Sequence, residues 1–200
     1  MQQPVLAFWY EFASTYSFLA AERIDALAEQ RNVAVQWKPF LLGPIFRNQG
    51  YTTSPFNLFP VKGQYMWRDM QRACDRMGLP LVKPDPFPQN SIAAARIAVA
   101  LPDEARPAFS RAVFRMEFCE GRPITDEAAL ASIVRETGDD LVTAVAASRT
   151  DVVKAELRRL TEEAEQLGLF GAPSFVTADG EIFWGNDRLE EALDWAVGRR

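Results

Sequence analysis

The sequence predicts an α/β fold in which the two ends of the chain build one sheet and the stretch between them is helical. A strand–helix–strand opening, a long run of helical periodicity through the middle, and a hairpin followed by a helix at the end predict it. The 200 residues, nearly half of them apolar, suffice for a sizeable core without disulfide staples.

Val5 to Phe12 reads VLAFWYEF, rich in β-branched and aromatic types, and predicts a buried strand. Ser14 stands where it can cap a helix from about Tyr16 to Gln30, whose Ala20, Ile24 and Leu27 form an apolar stripe. Val33 to Lys38 alternates as a second strand and Pro39 limits it. Strand, helix and strand in this order make a parallel pair. Leu41 to Pro60 is rich in Gly, Pro, Asn and aromatics without a clear period, and predicts an ordered surface loop.

Helical periodicity returns from about Val61 to Met77, ended by Gly78 and Pro80. Leu81 to Pro88 holds three prolines and cannot be a central strand. Asn90 or Ser91 opens a helix through about Leu101. Further helices are expected from Asp103 to Glu120, Asp126 to Thr137, Asp139 to Ala147 and Asp151 to Leu167, each starting at or near an acidic residue. Ser174 to Val176 then reads as a strand, Ala178-Asp179-Gly180-Glu181 as a hairpin turn, Ile182 to Trp184 as the returning strand, and Leu189 to Val197 as a closing amphipathic helix. This element order is the plan of a thioredoxin-like domain, residues 1–55 and 168–200, split by a helical insertion over residues 56–167.

Composition narrows the chemistry. The formal net charge is −5 with both signs interspersed, and no basic stripe marks a nucleic-acid partner. The absence of histidine removes the commonest general base, the commonest zinc ligand and every triad that relies on imidazole. Cys74 and Cys119 share no metal or redox spacing and read as buried free thiols of a reducing compartment. The N-terminal residues show no signal-peptide pattern, and no apolar run is long enough to span a bilayer, so the cytoplasm is the expected location and no membrane partner is expected.

Three short segments can carry chemistry. At Phe12-Ala13-Ser14-Thr15-Tyr16-Ser17 a strand meets a helix, whose free N–H groups and dipole favour an anion such as a thiolate. No cysteine stands there, so dithiol exchange at this position is excluded. A serine hydroxyl can still hold a thiolate brought by another molecule, although plain capping is the simpler local account. At Gly171-Ala172-Pro173-Ser174-Phe175 a proline follows a small residue into a strand. That makes a candidate cis peptide beside an edge that can pair with an extended ligand, with an ordinary trans proline the simpler reading. At Trp184-Gly185-Asn186-Asp187-Arg188 a strand ends and a helix begins. Asn186 or Asp187 can cap it, or the segment can receive a head group bearing a carboxylate and an ammonium. Phe46, Phe56, Phe59, Tyr65, Trp67 and Phe87 are mostly core candidates; some can line an apolar pocket for a flat substrate, with Asn57, Lys62 and Arg68 available to its carboxylate.

Together these segments, with Val61-Lys62-Gly63-Gln64-Tyr65-Met66-Trp67-Arg68-Asp69 and Phe87-Pro88-Gln89-Asn90-Ser91 between them, resemble the 2-hydroxychromene-2-carboxylate isomerases. That family stands with kappa-class glutathione transferases and DsbA-like proteins. The resemblance covers essentially the whole chain. It implies glutathione as cofactor, an aromatic small-molecule substrate and cis–trans isomerisation between 2-hydroxychromene-2-carboxylate and trans-o-hydroxybenzylidenepyruvate. It also implies that Ser14 holds the glutathione sulfur, that Ala172 offers backbone to glutathione before a cis Pro173, and that Trp184, Gly185, Asn186 and Asp187 receive the γ-glutamyl end. Phe56 and Asn57 fall near substrate contacts, and Phe87 falls where a relative has a tyrosine, without its hydroxyl. A homodimer is the expected assembly. A kappa-like transferase or reductase acting on other electrophiles, or a non-catalytic DsbA-like peptide-binding module, would use the same motifs.

Overall fold

The computed structural model describes residues 3–199. Strand β1 (Val5–Tyr10), helix α1 (Thr15–Glu29) and strand β2 (Ala34–Pro39) form the opening unit, and β1 and β2 pair in parallel from Val5 opposite Ala34 to Tyr10 opposite Pro39. Strands β3 (Ser174–Thr177) and β4 (Ile182–Trp184) return from the far end of the chain as an antiparallel hairpin. β3 lies antiparallel to β1, giving the sheet order β2-β1-β3-β4. Between the strands run α2 (Leu42–Asn48), α3 (Pro55–Leu58), α4 (Pro60–Met77), α5 (Ile92–Ala100), α6 (Arg106–Phe118), α7 (Glu127–Thr137), α8 (Thr143–Ala147) and α9 (Asp151–Gln166); α10 (Leu189–Ala196) closes the chain.

One aromatic core joins the sheet to the helices. Phe8 stacks on Phe175 across the β1–β3 pair at 5.5 Å between ring centroids and meets Trp37 of β2 edge-on at 4.8 Å. Phe12 and Phe18 continue the cluster to Phe114 and Phe118 of α6. Such pairs add to the burial of large rings, so the start of α1 is held rigidly between sheet and helical layer. A smaller core under the opposite sheet face gathers Trp9, Phe40, Ile45, Leu160 and Val176.

Several boundaries differ from the sequence reading. The expected loop over Leu41 to Pro60 contains α2 and α3. Pro44 lies in the first turn of α2, where an N–H has no helical partner, and Pro55 opens α3, so the prolines start helices there. α6 begins at Arg106 instead of Asp103, with Pro107 in its first turn and Asp103 paired to Arg106 at 2.7 Å. The segment expected as one helix over Asp139 to Ala147 is a 3-10 turn, Asp139–Val142, followed by the short α8. A 3-10 turn, Asn186–Arg188, also precedes α10, so neither Asn186 nor Asp187 caps that helix. Cys74 is buried but Cys119 is only partly so. Among the described residues no helix is long and apolar enough to cross a membrane.

Candidate active site

Ser14 ends the turn after β1 with extended backbone (φ −94°, ψ 114°) and caps α1, its Oγ accepting from the Ser17 N–H at 3.2 Å. The same hydroxyl donates to the Ala172 carbonyl at 2.9 Å and so ties the first segment to the last. The Ala172–Pro173 peptide is cis. Among the described residues the N–H groups of Thr15, Tyr16 and Ala172 have no acceptor. The first turn of α1 carries no acidic side chain to compete for an anion.

These groups face a cavity of about 1070 Å³, lined by Ser14 and Ala172 at one end and by residues of α2, α3, α4 and the Pro-rich segment at the other. Of the residues singled out from sequence, Ser14, Ala172, Trp184, Phe56, Lys62 and Phe87 line this cavity, as do Phe46 and Tyr65. Asn57 stands away from it, exposed, with its amide donating to Thr53 Oγ1 at 3.2 Å. Phe59, Trp67 and Arg68 are not lining residues either. Lys62 Nζ lies 5.1 Å from the Phe59 ring, and Trp67 backs Phe87 edge-on at 4.8 Å.

Pro173, Gly185, Asn186 and Asp187 sit beside the Ala172 edge. The Gly185 N–H donates to the Pro173 carbonyl at 3.0 Å. Gly185 has φ +111°, and a Cβ there would lie 2.5 Å from Asp187 Oδ1, so the turn requires glycine. Gly171 is required for another reason: a Cβ would overlap the Trp184 indole, which also packs against the Phe170 ring at 4.8 Å. Asn186 accepts at Oδ1 from Arg23 of α1 at 3.1 Å, and Arg23 also pairs with Glu190 at 2.6 Å. Asp187 is left largely exposed.

Residues 5–194 match the model of the DsbA-like thioredoxin domain. The chain belongs to that family. It is 28% identical to glutathione S-transferase kappa 2 of Caenorhabditis elegans over 205 residues, covering 96% of this chain and 91% of that protein. It is also 28% identical to 2-hydroxychromene-2-carboxylate isomerase of Sphingobium xenophagum over 184 residues, covering 92% and 93%. A solved 2-hydroxychromene-2-carboxylate isomerase superposes with a TM-score of 0.86 at 26% identity, over 98% of this chain and 95% of that one. The resemblance read from the three motifs thus holds over the whole fold.

Two features escaped the sequence reading. Tyr16, which lines the cavity, donates its hydroxyl to Asp69 of α4 at 3.0 Å and so ties α1 to α4, and burial together with Asp69 raises its phenol above the ordinary value. Glu11, which interrupts an otherwise apolar strand end, also lines the cavity while only 7% exposed. A charged residue inside an apolar run was the available signal.

Proposed function

We propose that this chain is a glutathione-dependent isomerase acting on a cyclic aromatic hemiketal acid of the 2-hydroxychromene-2-carboxylate type, or a close analogue. The observation that carries the reading is the Ser14–Ala172 junction. It sets a hydroxyl, two free helix-start N–H groups and a free backbone N–H at one end of an aromatic-walled cavity.

The residues present fit glutathione. Ser14 can turn its hydroxyl proton from the Ala172 carbonyl toward a sulfur anion, and the Thr15 and Tyr16 N–H groups add to the same positive end of α1. The Ala172 N–H is available to an extended peptide, and the Asn186 and Asp187 N–H groups stand beside the exposed Asp187 carboxylate for a γ-glutamyl head. Bound there, glutathione supplies the thiolate whose conjugate addition makes a double bond single long enough to rotate. At the other end Phe46, Phe56 and Phe87 face a flat ring, while Arg47 and Lys62 are the cations nearest a substrate carboxylate. Neither cysteine competes as nucleophile: both lie off the cavity, and burial pushes the Cys74 thiol up to about 11.

The test is isomerisation of 2-hydroxychromene-2-carboxylate followed by absorbance, with and without glutathione. Turnover that requires glutathione supports the reading; no turnover in either condition overturns it. Conjugation of chlorodinitrobenzene without isomerisation would move the function to a kappa-like transferase. The 28% identity to a kappa enzyme and the phenylalanine at position 87 favour that second reading.

A further inference from the structure

We infer that Glu11 is the proton-transfer residue of this site, taking the hydroxyl proton of a cyclic hemiketal and returning it to the ring oxygen as the ring opens. The inference rests on the isomerase reading above and deepens it.

The chemistry creates the need. Before a double bond can rotate, the hemiketal must open. The bond from the hemiketal carbon to the ring oxygen breaks, its electron pair stays on that oxygen, and the hydroxyl on the same carbon becomes a carbonyl. One proton leaves the hydroxyl and one arrives on the phenolic oxygen, so atoms and charge balance with no outside reactant. A single carboxylate within reach of both oxygens can serve as base and then as acid.

The structure offers one such group. The chain has no histidine, and among the described residues lining the cavity Glu11 is the only carboxyl group. The Tyr16 hydroxyl is engaged with Asp69, and Arg47 and Lys62 are cations. Glu11 is held beside Ser14 because its backbone carbonyl accepts from the Ser14 N–H at 3.0 Å. Its carboxylate is fixed by the Leu42 N–H at 3.1 Å, by the Ala13 N–H at 3.4 Å and by the hydroxyl of buried Ser91.

The surroundings poise it for exchange. Burial raises the Glu11 carboxyl above the ordinary value, while Ser91 and the N–H groups of Leu42, Ala13 and Phe12 draw it back. The charge of Glu11 is felt in turn by Glu117 of α6, which is fully buried and has both carboxyl oxygens unpartnered among the described residues. Burial first, and the Glu11 charge second, hold the Glu117 carboxyl well above the ordinary value. The charge falls on Glu11, which has donors, and the proton stays on Glu117, which has none.

The wild type and two variants read this out. In the wild type, the hemiketal reaction should lose rate at acid pH as Glu11 protonates. The same ionisation should appear in carbon NMR of glutamate-labelled, glutathione-free protein as the signal absent from Glu11→Gln. Glu11→Gln should lower hemiketal turnover by about a hundredfold or more and abolish that acid limb. Its conjugation of glutathione to chlorodinitrobenzene, which opens no ring, should stay near the wild-type level. Ser91→Ala removes a donor without touching Glu11, and should move the NMR titration and the acid limb together to higher pH. The shift of the acid limb in Ser91→Ala, which needs no NMR assignment, decides the matter if Glu11→Gln fails to fold.

Glu11→Gln with full hemiketal turnover overturns the inference, as does equal loss of both reactions in a folded variant. An acid limb that stays in place while the Ser91→Ala titration moves also overturns it. A wild-type protein with no hemiketal turnover overturns the isomerase reading and this inference with it, whereas wild-type turnover with an indifferent Glu11→Gln overturns this inference alone.

Discussion

The two ends of the cavity are built in contrasting ways. At the end proposed to hold the thiol, the Ser14 hydroxyl makes two hydrogen bonds, one inside α1 and one to Ala172, and the first turn of α1 rests on buried aromatics. At the aromatic end, the wall comes from short α2 and α3 and the exposed side of α4, where Tyr51 is 37% and Tyr65 63% exposed. The first end is over-determined by packing and backbone bonds. The second is more exposed, and no side chain of α3 is fully buried. On the proposed function, such a division keeps the thiol-activation step constant while the wall sets which electrophile is accepted.

This contrast yields expectations of decreasing size. Ser14→Ala should lower glutathione-dependent turnover by about 10²–10³-fold, the scale for removing one donor that faces developing charge. Its loss of stability, from the missing cap, should be only about 1 kcal/mol by denaturant melt. Ser14→Thr should restore part of the activity, because the hydroxyl returns. A turnover loss no larger than the stability loss would break the contrast, since Ser14 would then act as a cap alone.

Glu117 tests what a buried carboxyl without partners costs the fold. Burial raises its carboxyl well above the ordinary value, so it is neutral in the fold, whereas in the unfolded chain it ionises near that value. Folding therefore takes up a proton. The stability Glu117 contributes is complete below the unfolded value and is lost as pH rises toward the folded one. Glu117→Met escapes this loss and should be more stable than the wild type by about 1–4 kcal/mol at mildly alkaline pH. The gain should shrink toward zero in acid, as thermal melts across pH would show.

Gly185→Ala should cost about 1–3 kcal/mol, because φ +111° and the contact with Asp187 both disfavour a Cβ. Its glutathione affinity should fall while affinity for a flat aromatic acid, measured separately, is kept. Phe87→Tyr sits on the aromatic wall and should have the smallest effect, under about 1 kcal/mol in substrate binding. It should change KM for the hemiketal acid and leave glutathione binding untouched. A large change in glutathione binding from Phe87→Tyr would show the two ends to be coupled.

The same contrast explains what the sequence disclosed. The thiol end is written in contiguous segments: Ser14 at a strand–helix junction, Ala172 before Pro173, and the Asp179-Gly180 turn that returns β4 beside them. Each depends on local backbone chemistry, so each was legible, as was the order of strands. The wall was not. Leu41 to Pro60 reads as a loop because its prolines and glycines hide two short helices, of which α2 is anchored by packing Ile45 under the sheet. Asn57 is polar, near the right motif and yet stands off the cavity, because which side of so short a helix faces inward is a tertiary matter. Glu11 was visible as an acidic residue in an apolar strand end. Its place in the cavity became apparent only when α2 and α6 were brought against it.

The most direct test of the central claim is the ionisation of bound glutathione, followed by the ultraviolet absorbance of its thiolate across pH. The account expects the thiol to ionise at lower pH on the wild-type protein than in free solution, and Ser14→Ala to return it most of the way. A bound thiol that ionises as it does in water, or a depression that survives Ser14→Ala unchanged, would contradict the assignment of Ser14 and the start of α1 as the thiolate site.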